Sequence, residues 1–328
     1  MQPTKEYRLP EINYLIFKFQ LAALEDSGLP LSKGPMLRGA FGSALRSTVC
    51  SMKSPQECFR CLLRSKCTYT QIFETFISDK PPRFLKGLDT APRPFVIDCS
   101  NQQWQFRKGE ILEFTMTVIG NAISYIPFIV YAVHRMGERG LGARRKPFFL
   151  RSAEYQNSRG EWTQLYDGIR QKLLPIPEAQ ETPSQVADGG IQQVHMEFVT
   201  PTRLKFRNEY SMKFNFRMLV FKMVRRILEL AYFYQPDVQI DWEFHSLLVA
   251  ANKVEILFSS LHWVDIERYS NRQRTTLKLG GFVGKLTLQG KMTPFLPVLY
   301  ASEVLHVGKG TTFGLGKIRV DTKKTDGE

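Results

Sequence analysis

The spacing of apolar side chains predicts a mixture of strands and helices in the first half of the chain. Residues 13–24 are rich in β-branched and aromatic side chains and predict an opening strand. A stripe of apolar residues at spacings of three and four predicts a helix that begins near Pro35. Further strands are predicted at 95–98, 111–118, 148–155 and 162–166, with a helix at 124–137. This order favours an α+β fold over a doubly wound one.

The second half repeats the order of the first. A strand at 193–200 precedes a long helix with Ser211 as its predicted N-cap and Pro236 beyond its end. The remaining predictions are helices at 244–255 and 294–305 and strands at 261–265, 282–288 and 317–321. Residues 174–190 contain three prolines and no sustained periodicity, which indicates a linker or a long surface loop. Two similar domains are therefore predicted, at 1–173 and 191–328.

The net charge of the chain indicates which class of molecule it binds. The 328 residues include 45 Lys and Arg against 31 Asp and Glu, so the net charge is +14, and the 43% apolar content excludes a disordered chain. Basic residues concentrate in blocks at 134–151, 203–226 and 268–285, which favours binding of a nucleic acid. On the long helix, Lys222, Arg225 and Arg226 share one face, and this helix taken alone predicts an ordinary solvated face. Four aromatics near these blocks are candidates either for stacking unpaired bases or for the core: Tyr155, Tyr166, Tyr269 and Phe313.

An uncharged run at 114–133 is long enough to span a bilayer in principle. Polar residues, Gly120 and Pro127 interrupt it, and its pattern changes from strand-like to helix-like, so we expect a buried strand followed by a buried helix. The first residues have no continuous apolar core and no small-residue cleavage site. We therefore expect a cytoplasmic protein.

Cysteine is clustered. Cys50, Cys58, Cys61 and Cys67 fall within 18 residues with the spacing C-x7-C-x2-C-x5-C, whereas Cys99 stands apart as a simple buried residue. One chelating C-x2-C pair with two flanking thiols is sufficient for a structural tetrahedral zinc site. An iron–sulfur cluster and unligated thiols remain alternatives, and a disulfide pair is disfavoured in a basic cytoplasmic protein.

A glycine-rich loop is predicted between the last helix and the last strand. Residues 308–316 (GKGTTFGLG) contain four glycines, and such a backbone either approaches a phosphate closely or forms a tight turn. The order of elements and the absence of a Gly-Lys-Ser/Thr ending exclude a P-loop. His306 is the only histidine beside this loop and is a candidate for acid–base chemistry.

Several motifs, taken in order, resemble the CRISPR-associated endoribonucleases of the repeat-associated mysterious protein (RAMP) superfamily that process precursor RNA. They are LRGAFGSALR at 37–46, CTYTQIFE from Cys67, GERGLGARR at 137–145, VTPTRLKF at 199–206, WVDIERYSNRQ at 263–273, GGFVG at 280–284 and LHVGKGTTFGLGK at 305–317. The N-terminal motifs are similar to a subgroup with a cysteine cluster after the first helix. The resemblance implies two tandem ferredoxin-like (RRM-like) domains, with the cysteine-rich insertion in the first and the glycine-rich loop in the second.

The resemblance also implies a reaction and a set of residues. The 2′-hydroxyl of a CRISPR repeat attacks the adjacent phosphate without a catalytic metal, which leaves a 2′,3′-cyclic phosphate and a 5′-hydroxyl. Many members carry a catalytic histidine near the first helix, but the first histidine here is His134, so the catalytic candidates are His306, Tyr269 and Arg38. The candidates for RNA binding are Gly308, Lys309, Gly310, Gly314, Gly316, Arg46, Arg144, Arg145, Arg203, Lys205, Arg268 and Arg272.

Two other functions remain compatible with the sequence. One is a guide-RNA-binding structural subunit of a CRISPR effector complex that does not cleave. The other is a nonspecific RNA-binding protein with a zinc-stapled loop.

Overall fold

The computed structural model describes residues 7–52, 57–77, 82, 85, 87–88, 90–186, 189–206, 209–270 and 275–322. The chain divides into two compact units, Asn13–Gln180 and a second unit of Met1–Ile12 with Glu181–Glu328.

The first unit alternates strands with two long helices. Its main elements are β1 (Asn13–Ala23), α1 (Gly34–Val49), α2 (Thr68–Ile72), β2 (Phe95–Asp98), β3 (Ile111–Ile119), α3 (Ile126–Glu138), β4 (Phe148–Gln156) and β5 (Trp162–Asp167). Short strands at Ser27–Gly28 and Gln105–Phe106 pair with each other, Lys172–Leu173 pairs with β5, and Gln180–Glu181 pairs with β1. Single 3₁₀ turns lie at Cys58–Arg60 and Gly120–Tyr125.

The sheet of this unit is antiparallel, with the order β2-β3-β1-β4-β5. Strict alternation in β1 sends Phe17, Phe19 and Leu21 to the core face, where they are fully buried. Helices α1 and α3 contribute buried apolar residues such as Leu37 and Val133 to the same core. The alternation of apolar and polar residues in the strands therefore reflects a sheet with one face covered by helices.

The second unit is built in the same way. Its main elements are β6 (Gln193–Thr202), α4 (Phe216–Tyr234), α5 (His245–Ala251), β7 (Glu255–Ser259), β8 (His262–Val264), β9 (Glu267–Ser270), β10 (Thr275–Lys278), β11 (Gly281–Gln289), α6 (Leu296–Leu305) and β12 (Ile318–Asp321). Strands β9 and β10 form a hairpin, as do Lys205–Phe206 and Glu209–Tyr210, and β8 pairs with β11. Single 3₁₀ turns lie at Thr293–Phe295 and Thr311–Phe313.

Both units share one topology. The second sheet has the order β7-β11-β6-β12, which matches β2-β3-β1-β4 of the first sheet when the strands are counted within each unit. A strand, helix, two strands, helix and strand in this antiparallel order form the ferredoxin-like arrangement. The predicted α+β fold with two tandem ferredoxin-like domains is confirmed.

Three local predictions differ from the structure. The N-cap of α4 is Asn215, whose Oδ1 accepts the Met218 amide at 2.9 Å, whereas Ser211 caps a turn through Lys213 N at 2.9 Å. Helix α5 ends at Ala251 instead of 255, because the β-branched and aromatic run that follows forms β7. The two hairpins were not predicted, because their strands are short.

The start of the chain belongs to the second unit. The Ile12 amide donates to Thr182 Oγ1 and the Thr182 amide donates to Ile12 O, both at 3.0 Å. The sequence predicts a first domain at 1–173 and a linker at 174–190, whereas the first unit of the structure begins at Asn13 and ends at Gln180.

The uncharged run at 114–133 is divided between β3, a 3₁₀ turn and α3. No helix in the described ranges is both long enough and apolar enough to cross a bilayer.

Candidate RNA-binding and catalytic site

The glycine-rich loop, residues 308–316, connects α6 to β12. All four of its glycines have positive φ, from 75° at Gly316 to 87° at Gly310. A Cβ at Gly316 would lie 1.8 Å from Val307 O, and one at Gly308 would lie 2.6 Å from Arg203 O. The backbone conformation itself therefore requires glycine at these two positions.

Arg226 anchors this loop from α4. Its Nε donates to Leu305 O (3.0 Å) and His306 O (2.8 Å), and its Nη2 donates to Leu305 O (2.7 Å) and Thr311 Oγ1 (3.0 Å). Burial lowers the pKa of the Arg226 guanidinium to about 10, so it stays charged at neutral pH. The expectation of an ordinary solvated face is wrong for Arg226, because its charge satisfies carbonyls at the end of α6. Helical periodicity alone does not show that Arg226 binds the loop, because Arg226 shares one face of α4 with Lys222 and Arg225.

His306 lies at the point where α6 passes into the loop. Its side chain is 5% exposed and its Nδ1 lies 3.2 Å from Leu315 O. If Nδ1 carries the proton of this hydrogen bond, Nε2 is the basic nitrogen of the neutral ring. The backbone has φ 56° and ψ 168°, a region that residues other than glycine rarely occupy and that costs about 1–3 kcal/mol. Arg226 holds the carbonyls of His306 and of the residue before it.

Cationic side chains lie beside the loop. Lys309 is exposed, and its amide donates to Arg203 O at 3.1 Å. The Arg203 guanidinium lies 4.5 Å from the centre of the Tyr210 ring, and Lys205 Nζ lies 5.2 Å from the same centre. The structure therefore brings the predicted residues Arg203, Lys205 and Lys309 to one side of the second unit, beside the loop.

Two predicted residues, Arg268 and Tyr269, lie on β9. Arg268 pairs with Leu277, and Tyr269 with Thr276, along the backbone of β9 and β10. The structure describes this pairing without the side chains, and Arg272 lies outside the described residues. The predicted role of Tyr269 stays a prediction.

The remaining predicted cations lie in the first unit. On α1, the Arg38 guanidinium lies 4.4 Å from the Phe73 ring centre, and that of Arg46 lies 5.9 Å from the Tyr69 ring centre. Arg144 and Arg145 are exposed in the turn between α3 and β4. None of these four belongs to the unit that carries His306.

The aromatic candidates for base stacking lie in different parts of the molecule. Tyr166 is buried at 8% exposure and packs in the core of the first unit, and Tyr155 is half-buried against that core. Phe313 is half-buried within the glycine-rich loop.

The four clustered cysteines line a single pocket together with Arg46 and Tyr69. Cys50 follows α1, and Cys67 precedes α2. Cys58 is the first residue of a 3₁₀ turn and Cys61 follows its end, where Cys61 N donates to Cys58 O at 3.2 Å. Burial raises the pKa of the Cys58 thiol, and the charge of Arg46 acts against that shift. Within the described ranges, no three His, Cys, Asp or Glu side chains are gathered closely enough to hold a metal ion.

Cys99 lies apart from this pocket, as predicted. Burial raises its thiol pKa to about 11, so the group is protonated at neutral pH.

Two family models cover most of the chain. The AF_1859 N-terminal domain matches residues 10–178, and the model of the CRISPR-associated endoribonuclease Cas6 matches residues 196–318, which include β6, α4, His306 and the glycine-rich loop. The chain belongs to the family of the AF_1859 N-terminal domain, and its second part matches the Cas6 model. The resemblance seen in the sequence is thereby confirmed for residues 196–318, the part that matches the Cas6 endoribonuclease model.

Solved Cas6 structures share the fold of this chain. A Cas6 product complex has a TM-score of 0.56 at 16% identity, with 94% of this chain and 99% of that chain covered. Cas6 from Thermus thermophilus has a TM-score of 0.52 at 15% identity with the same coverage. A partial Cas6–RT–Cas1–Cas2 complex has a TM-score of 0.55 at 14% identity, over 98% of this chain and 48% of that chain.

A curated relative is an uncharacterized protein of Archaeoglobus fulgidus, 25% identical over 181 residues. The match covers 54% of this chain, and the chain spans about 57% of the length of that relative.

Proposed function

We propose that this chain is an endoribonuclease that binds CRISPR repeat RNA and cleaves it within the repeat without a catalytic metal. The observation that carries the proposal is the anchored glycine-rich loop, with His306 at its base and cations beside it, inside the part of the chain that matches Cas6. Such a surface suits a polyanion, and an imidazole supplies acid–base chemistry near neutral pH.

The proposed reaction balances without a further reagent. The 2′-hydroxyl loses its proton to a base, its oxygen bonds to the adjacent phosphorus, and the bond from phosphorus to the 5′-oxygen breaks. The 5′-oxygen takes a proton, and the products are a 2′,3′-cyclic phosphate and a 5′-hydroxyl. His306 is the proposed acid–base group, with Nε2 as the reacting nitrogen. Tyr269 is the next candidate for proton transfer, and Arg38 is a candidate for holding the charge of the phosphate. A cation beside the loop stabilises the charge that develops on the phosphate oxygens.

The experiment uses the full chain with a labelled repeat RNA in excess EDTA, beside the same RNA carrying a 2′-deoxy residue at the cut. We expect a single cut in EDTA that the 2′-deoxy substitution abolishes. His306→Ala should lower the single-turnover rate by about 10²- to 10⁴-fold with binding retained. The matched control is His195→Ala, since His195 lies on β6 of the same unit and contacts Thr287 Oγ1 at 3.1 Å.

Two results would contradict the proposal. Cleavage that requires a divalent metal would exclude the metal-independent mechanism. Tight, salt-resistant binding of the repeat without any cut would instead support a guide-RNA-binding subunit of an effector complex.

Zinc at the cysteine pocket is the second part of the proposal. Cys50, Cys58, Cys61 and Cys67 are the proposed ligands, and a closed Cys₄ site would be structural because it leaves no position open for substrate. The thiols line one pocket and the C-x2-C pair spans one turn, so the donor set suits zinc. They do not meet in the described arrangement, and binding therefore requires the exposed segment around Cys58 and Cys61 to close.

Metal analysis of the full chain tests this part. We expect about one zinc per chain after purification in a reducing buffer, and protection of four thiols from a thiol-reactive dye. Cys61→Ser should abolish the retained zinc, whereas Cys99→Ser should keep it. Zinc retained by Cys61→Ser, or iron with sulfide in its place, would overturn the zinc site.

A further inference from the structure

Two cations of α4 and one of the glycine-rich loop lie close to one segment, residues 203–206. Lys222 and Arg225 lie one turn apart on α4, and Lys222 Nζ is 5.7 Å from the Phe206 ring centre. Lys309 is exposed on the loop, and its amide donates to Arg203 O at 3.1 Å. Arg226 fixes the relation of helix and loop, because its guanidinium binds the carbonyls of Leu305 and His306. We call Lys222, Arg225 and Lys309 the α4 cation cluster.

In the described part of the chain, the acid that acts on the charge of Lys222 is Glu229. Burial lowers the pKa of Lys222, and the positive charges of Arg225 and Lys309 lower it further. Glu229 acts in the opposite direction, but its carboxylate already accepts Arg225 Nε at 2.8 Å. Like charges one turn apart on a helix destabilise it when no anion intervenes.

Lys222 is also held against aromatic rings. Its Nζ lies 5.7 Å from the centre of Phe206 and 5.8 Å from the centre of Phe221. These contacts restrict the ammonium group to a half-buried position on the face of α4 that adjoins the loop. A phosphate would meet an ordered cation there.

The loop's own amides are largely engaged within the protein. The amides of Lys309, Phe313 and Gly316 donate to Arg203 O (3.1 Å), Gly310 O (2.8 Å) and Pro201 O (3.1 Å). The amide of Gly314 donates to Thr311 O at 2.9 Å. The glycines thus shape a turn, and anion recognition beside it falls mainly to side chains.

We infer that Lys222 of α4 and Lys309 of the loop form a subsite for one phosphate of the RNA backbone. The subsite is independent of base sequence, because both side chains contact phosphate oxygens and not base edges. It rests on the proposed function in so far as repeat RNA supplies the phosphate. It also assigns a binding role to a helix face that the sequence presented as ordinary surface.

The test measures how the affinity for RNA depends on salt. The full chain is titrated with a 2′-deoxy-blocked repeat RNA and with an unrelated single-stranded RNA of equal length, at several salt concentrations. For single strands, each phosphate contact contributes about 0.7 to the slope of log Kobs against log salt. Lys222→Ala should reduce the slope by about 0.7 for both RNAs and weaken binding about tenfold at physiological salt.

Two variants control for charge and position. Lys222→Arg keeps the charge and should restore the slope. Lys291→Ala removes an exposed lysine at the opposite end of β6, since the amides of Gly290 and Met292 bind Gln192 O and Ile191 O. The length of β6 separates the two ends by about 30 Å, so Lys291→Ala should leave the slope unchanged.

The outcomes separate this inference from the proposed function. A slope unchanged in Lys222→Ala, or reduced equally in Lys291→Ala, would overturn the subsite even if the wild type cleaves the repeat. A reduced slope for both RNAs in a protein that neither prefers nor cuts the repeat would support the subsite and overturn the proposed function. A wild type that binds neither RNA would overturn both.

Discussion

The glycine-rich loop and the cysteine segment, residues 50–67, are both irregular stretches beside a helix, and they are held in opposite ways. The loop is fixed by Arg226, by its own amides and by Thr200, whose Oγ1 donates to Gly314 O at 2.7 Å. The described residues 57–68 of the cysteine segment and its border include no buried side chain, and Leu62 is 97% exposed.

This difference shows two ways to order a loop. Long-range hydrogen bonds from a folded unit order the glycine-rich loop, so its shape is available before any ligand arrives. In the described residues 57–67, only Cys58 and Cys67 pack partly against the core, so little apolar burial offsets the entropy of ordering this part of the segment. A metal ion bound by its four thiols would contribute the free energy that orders the segment.

Among the variants that change the anchors or the backbone of the glycine-rich loop, the largest effect is expected for Arg226→Ala. Removing the guanidinium leaves the carbonyls of Leu305 and His306 without their charged donor, and we expect a loss of about 3 kcal/mol in the stability of the second unit. Hydrogen exchange at the loop amides and thermal unfolding measure it. Arg225→Ala is the control, because its half-buried ion pair with Glu229 should contribute less than about 1 kcal/mol. Equal losses in the two variants would show that Arg226 does not anchor the loop.

Gly316→Ala is expected to have the next largest effect. The new Cβ would collide with Val307 O in a backbone at φ 75°, so we expect a loss of about 2 kcal/mol. Gly39→Ala on α1 has open space around its Cβ and should instead stabilise the chain by about 0.5–1 kcal/mol. Chemical denaturation of both variants gives the comparison, and a Gly316→Ala variant as stable as the wild type would show that the loop adapts.

The strain at His306 predicts a smaller difference. His306→Gly and His306→Ala both remove the imidazole, but glycine alone accepts φ 56° and ψ 168° without cost. We therefore expect His306→Gly to be about 1 kcal/mol more stable than His306→Ala in thermal unfolding. The reverse order would show that the backbone relaxes once the side chain is gone.

The smallest effect is expected in the cysteine segment. Leu62→Ser should change the free energy of unfolding by less than about 0.5 kcal/mol, because the side chain is almost fully exposed. Leu305→Ala, at a fully buried position before the loop, should lose about 2–5 kcal/mol. A large loss in Leu62→Ser would reveal a burial partner for the segment.

Regular elements were predictable from local pattern. The strand predicted at 13–24 and the strand predicted at 95–98 correspond to β1 and β2, because side-chain alternation reports burial directly. The N-cap of α4 was not predictable from local pattern. Ser211 and Asn215 are both residue types that cap helices well, and the choice depends on which amide each side chain reaches. In the site, the glycine spacing predicted a turn, but nothing local distinguished Arg226 from Lys222.

By itself, the sequence determined the α+β class, the basic surface, the clustered thiols and the resemblance that the Cas6 family model confirms, because these depend on residue type and short-range spacing. Only the tertiary structure decided that the second unit includes Ile12, that His306 is buried under strain, and that Arg226 turns inward. The reason is physical: a hydrogen bond between residues 80 positions apart depends on how sheets and helices pack, and no local pattern records it.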